Sequence, residues 1–559
     1  MTEAVDPITN ILTGRLPFYL LLAALLTWPT SLGLLRLYTR AVRRSMRTSA
    51  LAAGSAAPTP QKSAPSSAAP APPVRGAVIH DLPLAASAPG ADALLAVLMS
   101  RPRQAAIIYA LGGMAYALIM AVAQLLADGL ELRPVRLLYL FWVFVWPVVL
   151  TSAIVASSTR VSRFAPAAIY FVVLFAIGGS AMPYSPDLTW GQIPLSWALY
   201  DLPPTILMMT YLSRKVRAVG PLILTFMLLA LIGSDVAVSL VGSDVRYLRA
   251  LIELTQPLGL SGSATFVGVL VCGFLAFTLV GWVALGWIRR EYQAKRMSDE
   301  SVTIDAIWIM FTVAHSVNLV FGHPLWSLAG VAAFAAYKIC VRVGLNWAGR
   351  ARRGESRSPV LLVLRSFSIG KDGERLFDVV DRFWRRIGSI QMIAGIDLAS
   401  RTVEPHEFLD FVSGKLARRF IDRPEVMEQR MRERDSRPDR DLRFRVNDYF
   451  CSDDTWKMVL SRLVRESDAV LMDLRGFSRQ NAGCVFELGE LARMVPLERV
   501  VFVVDRRTDE HLLAETLGDC RAGVYRLDSI STRHVRQLMR SLASAASPVQ
   551  PLTAGERTC

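Results

Sequence analysis

Long runs of apolar residues follow one another along the first 350 residues of the chain. A helix needs about 20 mainly apolar residues to cross a bilayer. Asp201 and the pair Pro203–Pro204 interrupt the fifth run, and the eighth contains Asp305 and His315. The pattern predicts an all-α membrane half of about nine spans, with seven as the lower bound. The runs lie at 16–35, 104–127, 137–158, 165–183, 194–212, 219–241, 264–287, 304–321 and 324–345.

The pattern changes after residue 358. Short apolar runs such as PVLLVL, DAVLMDL and ERVVFVVD alternate with segments whose apolar residues recur at helical spacing. Continuously apolar strands are typical of sheets buried on both faces, and strands that alternate with helices favour parallel pairing. The pattern therefore predicts a soluble α/β domain over 355–545 with a mostly parallel five-stranded sheet. A domain of that length can bury a core, so we expect it to fold alone.

Composition and the apolar runs together predict the boundaries of the other segments. Residues 1–40 are expected to form an N-terminal anchor helix, and 101–350 the transmembrane domain. Ala, Pro and Ser dominate 41–100, which predicts a disordered linker. We also expect the tail 546–559 to be disordered, and the charged stretch 422–445 to be exposed and sensitive to proteases because it has few apolar side chains to bury.

The net charge of +15 is concentrated in the membrane half. Residues 1–350 carry 26 Lys and Arg against 15 Asp and Glu, whereas the soluble half carries 36 against 32. Basic clusters follow the first, third, fifth, seventh and ninth runs, which places the N-terminus outside and the C-terminal domain in the cytoplasm. The nearly neutral soluble half argues against a nucleic-acid partner and leaves the lipid bilayer as the partner of the basic loops.

Few polar residues interrupt the apolar runs. A membrane-embedded polar residue is a functional hypothesis, but these can also lie near span ends or bond to neighbouring helices. No inverted repeat or pair of broken helices indicates a transporter, although a transporter with a regulatory soluble domain stays open. The residues are Asp235, Asp305, His315 and Asn318, with Lys338 and Arg342 near the end of the last run.

No metal or cofactor site is predicted. The six cysteines form no C-x-x-C pair and have no histidine at zinc-finger spacing, so we interpret them as reduced and unliganded. The segment SIGKDGERL contains Gly370, Lys371 and Gly373, but it lacks the spacing of a phosphate-binding P-loop.

Candidate site residues lie where the predicted strands end. In parallel α/β sheets ligands bind beyond the carboxyl ends of the strands. Arg365 and Phe367 follow the first strand, and Asp473 and Arg475 follow the strand before the helix that carries Glu487. The segment Asp505–Arg507 follows the next strand along the chain.

The stretch GFSRQNAGCVFELGEL resembles the part of TIR domains in which a serine-rich loop leads into a helix with a Cys-x-x-Glu-Leu motif. Ser478, Cys484, Glu487 and Leu488 carry the match, although Gly483 stands where a tryptophan often precedes the cysteine. The order of LRSF, DDTW and FEL is similar to that in bacterial multi-span membrane proteins with a cytosolic TIR-like or nucleoside deoxyribosyltransferase-like domain. The resemblance covers about 130 residues: Leu364–Phe367, Asp453–Trp456 and Phe486–Leu488 mark its three motifs.

The resemblance implies a site for a small nucleotide such as NAD. Glu487 would act on the ribose, where a carboxylate stabilises an oxocarbenium-like transition state. Ser478 and Asp473 would line the site. Phosphates would be held by Arg365, Arg475 and Arg479, and a base would stack on Phe367 or Trp456.

Two main functions follow from this resemblance. The first is a nucleotide-binding module for signalling or defence, and the second is an N-glycosidase that cleaves NAD or another nucleotide. In a degenerate domain, Glu487 would be an ordinary surface residue of its helix. The resemblance also implies a bacterial inner membrane, and the membrane half is a possible route to a homo-oligomer.

Overall fold

Helices make up most of the chain up to residue 351. The computed structural model describes residues 16–54, 78–81, 91–156, 160–184, 188–211, 219–320, 324–351, 358–365, 371–394, 405–451, 455–518, 521–528 and 531–547. We number the helices of this half α1 (Leu16–Gly54), α2 (Ala91–Ala127), α3 (Pro134–Phe144), α4 (Trp146–Ala156), α5 (Arg160–Ala181), α6 (Gln192–Tyr211), α7 (Gly220–Ser243), α8 (Val245–Thr255), α9 (Gly262–Gln293), α10 (Asp299–Val320) and α11 (Ser327–Ala351).

Six helical stretches within the described residues are long and apolar enough to cross a membrane. A helix satisfies its own backbone hydrogen bonds, which is what a segment in lipid requires. Several helices of this half could therefore cross a membrane, which is consistent with the predicted multi-pass membrane half. The stretches are Leu21–Ser45, Ala91–Ala127, Pro134–Val155, Gly220–Gly242, Gly262–Gln293 and Leu328–Ala351.

The predicted count of nine spans, and its lower bound of seven, exceed these six. The other three predicted spans are helical, but they form α5, α6 and α10. The apolar part of α5 is short, at Ala165–Ala181. Helix α6 contains Asp201 and a Pro–Pro pair, and the first turn of α10 contains Asp299 and Glu300. The arginine pattern was interpreted with nine spans, so the orientation of the chain in the membrane stays a prediction.

Helices α2, α4 and α10 pack at very short range. A Cβ atom on Gly113 of α2 would come within 2.3 Å of Val148 on α4 and 2.8 Å of Trp308 on α10. The Trp308 ring packs edge-on against Tyr116 and stacks on Tyr337 of α11, with ring centroids 5.0 and 4.4 Å away. Glycine and large aromatic rings together build this close contact.

Within the described residues, strands from the second half of the chain and one strand near its start form a parallel sheet. Its strands are β1 (Val78–Asp81), β2 (Val360–Arg365), β3 (Ser389–Ile393), β4 (Phe420–Ile421), β5 (Val446–Cys451), β6 (Ala469–Asp473), β7 (Val500–Val504) and β8 (Arg521–Arg526). The order is β1-β8-β7-β6-β2-β3-β5-β4 and every pairing is parallel. Seven strands form the main sheet and two-residue β4 extends one edge, so the predicted parallel α/β class is confirmed and the predicted five strands were too few.

Helices cover both faces of this sheet. They are α12 (Lys371–Trp384), α13 (Pro405–Val412), α14 (Pro424–Arg432), α15 (Trp456–Glu466), α16 (Ala482–Met494), α17 (Glu510–Leu517) and α18 (Thr532–Ala546). Helices α14 to α17 contribute to one core, with alternate strand residues such as Leu362, Val470 and Phe502. Helices α12 and α18 contribute to the other core, with Leu361 and Val501. Side chains that alternate across buried strands in this way give a three-layer sandwich.

The predicted linker is wrong at three places. Helix α1 continues to Gly54, β1 pairs with β8 at the sheet edge, and α2 begins at Ala91. Leu95 and Leu98 of α2 lie in the core beside α12 and α18. Residues 55–77 and 82–90 lie outside the described residues. A fragment that begins at 355 would therefore lack an edge strand and part of its core, which weakens the expectation that 355–545 folds alone.

An apolar contact joins the membrane helices to the soluble domain. Leu35 and Tyr38 of α1 share one buried cluster with Phe408 of α13 and with Phe420 and Phe450 of strands β4 and β5. The rings of Tyr38 and Phe411 pack edge to face at 5.4 Å between centroids. The soluble domain therefore packs against the ends of the membrane helices.

A buried ionic cluster forms a second contact between the two halves. Arg443 pairs with Glu300 of α10 at 2.9 Å and with Asp381 of α12 at 2.7 Å, and Arg386 also pairs with Glu300. Arg445 lies over the Tyr292 ring of α9, 3.8 Å from its centroid. Asp439, Asp441, Arg443 and Arg445 are all less than a tenth exposed. The expectation that 422–445 is exposed was therefore wrong for Asp439, Asp441 and the segment 443–445, whereas Arg440 is exposed.

Candidate functional site

The candidate site lies at the carboxyl edge of the sheet between β2 and β6. Arg365, the last residue of β2, stands in register with Asp473, the last residue of β6. From β2 the chain proceeds to β3 on one side, whereas β6, β7 and β8 succeed one another on the other side. In open α/β sheets, ligands bind in the crevice where the strand order reverses in this way. The two strand ends chosen from the sequence lie side by side at that crevice.

Asp473 and Arg475 form a buried ion pair at this edge. The Arg475 Nε donates to one carboxylate oxygen of Asp473 at 2.8 Å, and its Nη2 donates to the other at 2.7 Å. Both side chains are at most 5% exposed. Two parallel hydrogen bonds fix the guanidinium plane. Arg475 therefore orders the end of β6, and a ligand phosphate would have to compete with Asp473 for it.

Hydrogen bonds join the loops after β6 and β7. Gly476 adopts φ +68°, a conformation that favours glycine, and its N–H donates to Oδ1 of Asp505 at 2.9 Å. Burial raises the pKa of Asp505, but hydrogen bonds from Gly476 and Arg507 outweigh it and lower the pKa below its usual value. Asp505 stays ionised and holds the two loops together.

Ser478 and Asn481 order the chain where α16 begins. The backbone N–H and the hydroxyl of Ser478 donate to the Asn481 Oδ1 at 2.9 and 3.2 Å. Arg479 is exposed and lies 3.7 Å from Glu515 of α17. The structure therefore gives Ser478 a role in shaping the loop that leads to Glu487.

Glu487 is buried in the second turn of α16. Its side chain is only 6% exposed, and its Oε2 has no hydrogen-bond partner among the described residues. Burial raises the pKa of Glu487 from 4.5 to about 8. Leaving a buried polar atom without a partner costs free energy, so such an arrangement is uncommon in a helix. The alternative in which Glu487 is an ordinary surface residue is wrong.

Glu490, one turn further along α16, provides the contrast. Its Oε2 accepts a hydrogen bond from the Ser461 hydroxyl of α15 at 2.9 Å, and its Oε1 pairs with Arg493. The two glutamates share a helix and differ in environment. Glu490 has partners, whereas Glu487 is buried and its Oε2 has none among the described residues.

An aromatic pair lies between α15 and α16. Trp456 packs edge to face against Phe486, with 5.3 Å between the ring centroids, and Lys457 Nζ lies 4.8 Å from the Phe486 centroid. Phe486 immediately precedes Glu487, and it was not among the predicted site residues. Its position in the FEL motif was the signal that could have identified it. Phe367, Asp453 and Asp454 lie outside the described residues.

The thiols of the site region do not form a reactive or metal-binding centre. Cys451 and Cys484 are buried thiols outside any disulfide, and burial raises the pKa of Cys451 to about 12. A thiol of that kind carries almost no thiolate at neutral pH. Throughout the described part of the chain, no group of three or more His, Cys, Asp or Glu side chains has a geometry that could hold a metal ion.

The sequence did not lead us to predict the buried ionic cluster between the membrane helices and the soluble domain. Its signal was the density of charges in DSRPDRDLRFR, which we interpreted as exposed because the stretch has few apolar side chains to bury. The structure instead pairs Arg443 with acids of the first turn of α10, a long-range match that no local pattern reveals, and pairs Arg445 with Asp435 and Asp439.

Comparison with known proteins identifies no relative of this chain. No family model, no curated protein and no solved structure matches the chain.

Proposed function

We propose that this chain is a multi-pass membrane protein whose soluble α/β domain binds a small nucleotide at the β2–β6 crevice and uses that binding for signalling. The observation that carries the proposal is the buried Glu487, with an unpaired oxygen, on the helix that follows β6. A polar group kept buried without a partner has a cost that a bound ligand can offset by supplying a hydrogen bond.

The ligand class follows from the chemistry around the crevice. Arg365 is the last residue of β2, and the exposed Arg479 lies in the loop that leads into α16. Phosphates are recognised by arginines and by helix N-termini in this type of fold. The Trp456–Phe486 pair offers an aromatic surface on which a base could stack. A phosphate, a ribose and a base together make a nucleotide such as NAD the proposed ligand.

A second candidate is an N-glycosidase, and the raised pKa of Glu487 favours it. A carboxyl group with a pKa of about 8 is mostly protonated at pH 7, so it can donate a proton to a leaving base. If the bound nucleotide carries a positive charge, as a nicotinamide ring does, that charge lowers the carboxyl pKa. The ionised form could then stabilise an oxocarbenium-like transition state.

The test uses the full-length protein in lipid nanodiscs, because α2 belongs to both halves. NAD and other nucleotides are added one at a time, and release of free base and thermal stabilisation are measured. Binding without turnover is expected from the first candidate. Turnover that Glu487→Gln abolishes, with a loss of several kcal/mol of transition-state stabilisation, is expected from the second.

Glu490→Gln is the matched control, since it makes the same change one turn away on the same helix. It should leave both readouts close to those of the wild type. If no nucleotide stabilises the protein or is cleaved, the proposed function is wrong. If Glu490→Gln and Glu487→Gln reduce the signals equally, the role assigned to Glu487 is wrong.

A further inference from the structure

Three titratable side chains meet inside the helical bundle of the membrane half. Nε2 of His315 on α10 lies 3.2 Å from Oδ1 of Asp201 on α6, and its Nδ1 lies 3.0 Å from the hydroxyl of Tyr116 on α2. Asp201 and His315 are fully buried, and so is Tyr116. We refer to Asp201, His315 and Tyr116 as the intramembrane triad.

One atom of the triad is left without a partner. Oδ2 of Asp201 is buried and forms no hydrogen bond with any described residue. Rings of Phe144 and Phe311 pack against His315, with centroids 4.8 and 5.8 Å away, so the surroundings are apolar. Ionisable residues inside a membrane are costly and are kept mostly where they serve a function.

The arrangement is suited to binding and releasing a proton. With one shared proton, the Asp201–His315 pair has no net charge, either as two neutral groups or as an ion pair. Gain of a second proton gives the pair a net positive charge, and loss of the shared proton gives it a net negative charge. Both changes are unfavourable in an apolar interior unless the helices rearrange. A change in bound protons therefore changes the packing of α2, α6 and α10.

Other titratable groups on the packed helices do not replace the triad. Tyr170 and Tyr200 are near Asp201 but are neutral phenols at physiological pH. The nearest charged alternatives have partners of their own: Asp305 pairs with Lys338 at 2.6 Å, and Asp235 accepts a hydrogen bond from Tyr19. Further tyrosines and one acid on or beside these helices are Tyr19 and Tyr38 on α1, Tyr109 on α2, Asp128 after α2, Tyr139 on α3 and Tyr337 on α11. The same helices also carry charged groups: Arg36, Arg40, Arg43 and Arg44 on α1, Asp92, Arg101 and Arg103 on α2, Arg136 on α3, Asp299 and Glu300 on α10, and Arg342 and Arg350 on α11.

Two uninterrupted helices link the triad to the soluble domain at a single residue, Arg386. Arg101 of α2 donates to the Arg386 backbone oxygen at 2.8 Å, and the Arg386 guanidinium pairs with Glu300 in the first turn of α10. Tyr116 and His315 each follow these contacts by 15 residues along their helices. At a rise of 1.5 Å per residue, the triad lies roughly 22 Å along each helix from Arg386.

We infer that the triad is an intramembrane proton-binding site, and that α2 and α10 transmit its protonation state to the soluble domain through Arg386. Buried ion pairs suit this purpose because a small displacement changes their energy strongly, so the cluster has discrete arrangements. The inference concerns the membrane half and does not depend on which ligand the soluble domain binds.

The test measures how the buried ionic cluster between the membrane helices and the soluble domain responds to pH. The full-length protein in nanodiscs is followed by hydrogen–deuterium exchange from about pH 5 to about pH 8, the range in which histidine titrates, with exchange corrected for its intrinsic dependence on pH. Peptides over 292–303 and 435–445 should show a sigmoidal change in protection. His315→Gln and Asp201→Asn should abolish that change.

Two further variants make the result decisive. Tyr116→Phe removes one hydroxyl and preserves packing, and it should move the midpoint by about half a pH unit or more because a hydrogen bond to His315 is lost. Asp235→Asn, a buried carboxyl outside the triad, should leave the transition unchanged. A wild type without a transition, a transition that Tyr116→Phe leaves in place, or one that Asp235→Asn also abolishes would overturn the inference.

Discussion

Replacement of Glu487 by glutamine should change how the stability of the soluble domain depends on pH. The folded-state pKa of Glu487 is about 8, against 4.5 for an ordinary glutamate. Between these values the folded domain binds one more proton than the unfolded chain. The stability that comes from protonated Glu487 is therefore fully present below about pH 4.5 and is lost as the pH rises to about 8.

The size of the effect follows from the two pKa values. Each pH unit between them lowers the free energy of unfolding by about 1.4 kcal/mol. From about pH 5 to about pH 7, the wild type should lose roughly 3 kcal/mol relative to a variant that cannot ionise at this position. Glu487→Gln is such a variant. Its amide also needs a hydrogen-bond partner, which adds a cost that does not vary with pH.

Hydrogen exchange in the buried strands β6 and β7 measures this free energy in the full-length protein, because their amides exchange through opening of the domain. Between about pH 5 and about pH 7, the free energy of opening of Glu487→Gln should rise by roughly 3 kcal/mol relative to that of the wild type. This shift is equivalent to more than about a hundredfold in the opening equilibrium. Glu490→Gln should show no comparable shift, since Glu490 already has Ser461 and Arg493 as partners. The same difference at both pH values would refute the assignment of an uncharged Glu487.

Two other predictions concern the organisation of the chain. A reporter that is active only in the cytoplasm should give signal when fused after residue 545 and none when fused after residue 10, as the arginine pattern predicts; the reverse result would overturn the proposed orientation. A fragment of residues 355–545 should be less stable than the domain in the full-length chain, because it lacks β1 and the helix that carries Leu95 and Leu98; equal protection of β6 and β7 from hydrogen exchange in both would contradict that reasoning.

Local patterns alone predicted the main division of this protein. Apolar runs of membrane length and short buried strands arise from solvent preference and backbone geometry, which each segment expresses independently of the others. They indicated the membrane half, the parallel α/β sheet, and the placement of Arg365 and Asp473 at strand ends. The pattern gave more spans than the six helical stretches that meet the length and hydropathy expected of a span, because a helix such as α6 combines apolar residues with polar groups whose partners lie on other helices.

Tertiary structure decided the features that depend on partners distant in the sequence. The pairing of β1 with β8 joins residues separated by most of the chain, and α2 is shared by two domains. Arg443 is buried where acids of α10 and α12 neutralise it, and Asp201 meets His315 only after the helices pack. Glu487 is the clearest case. Its position in the helix was evident from the sequence, but only the tertiary structure buries it, raises its pKa and leaves its Oε2 without a hydrogen-bond partner among the described residues.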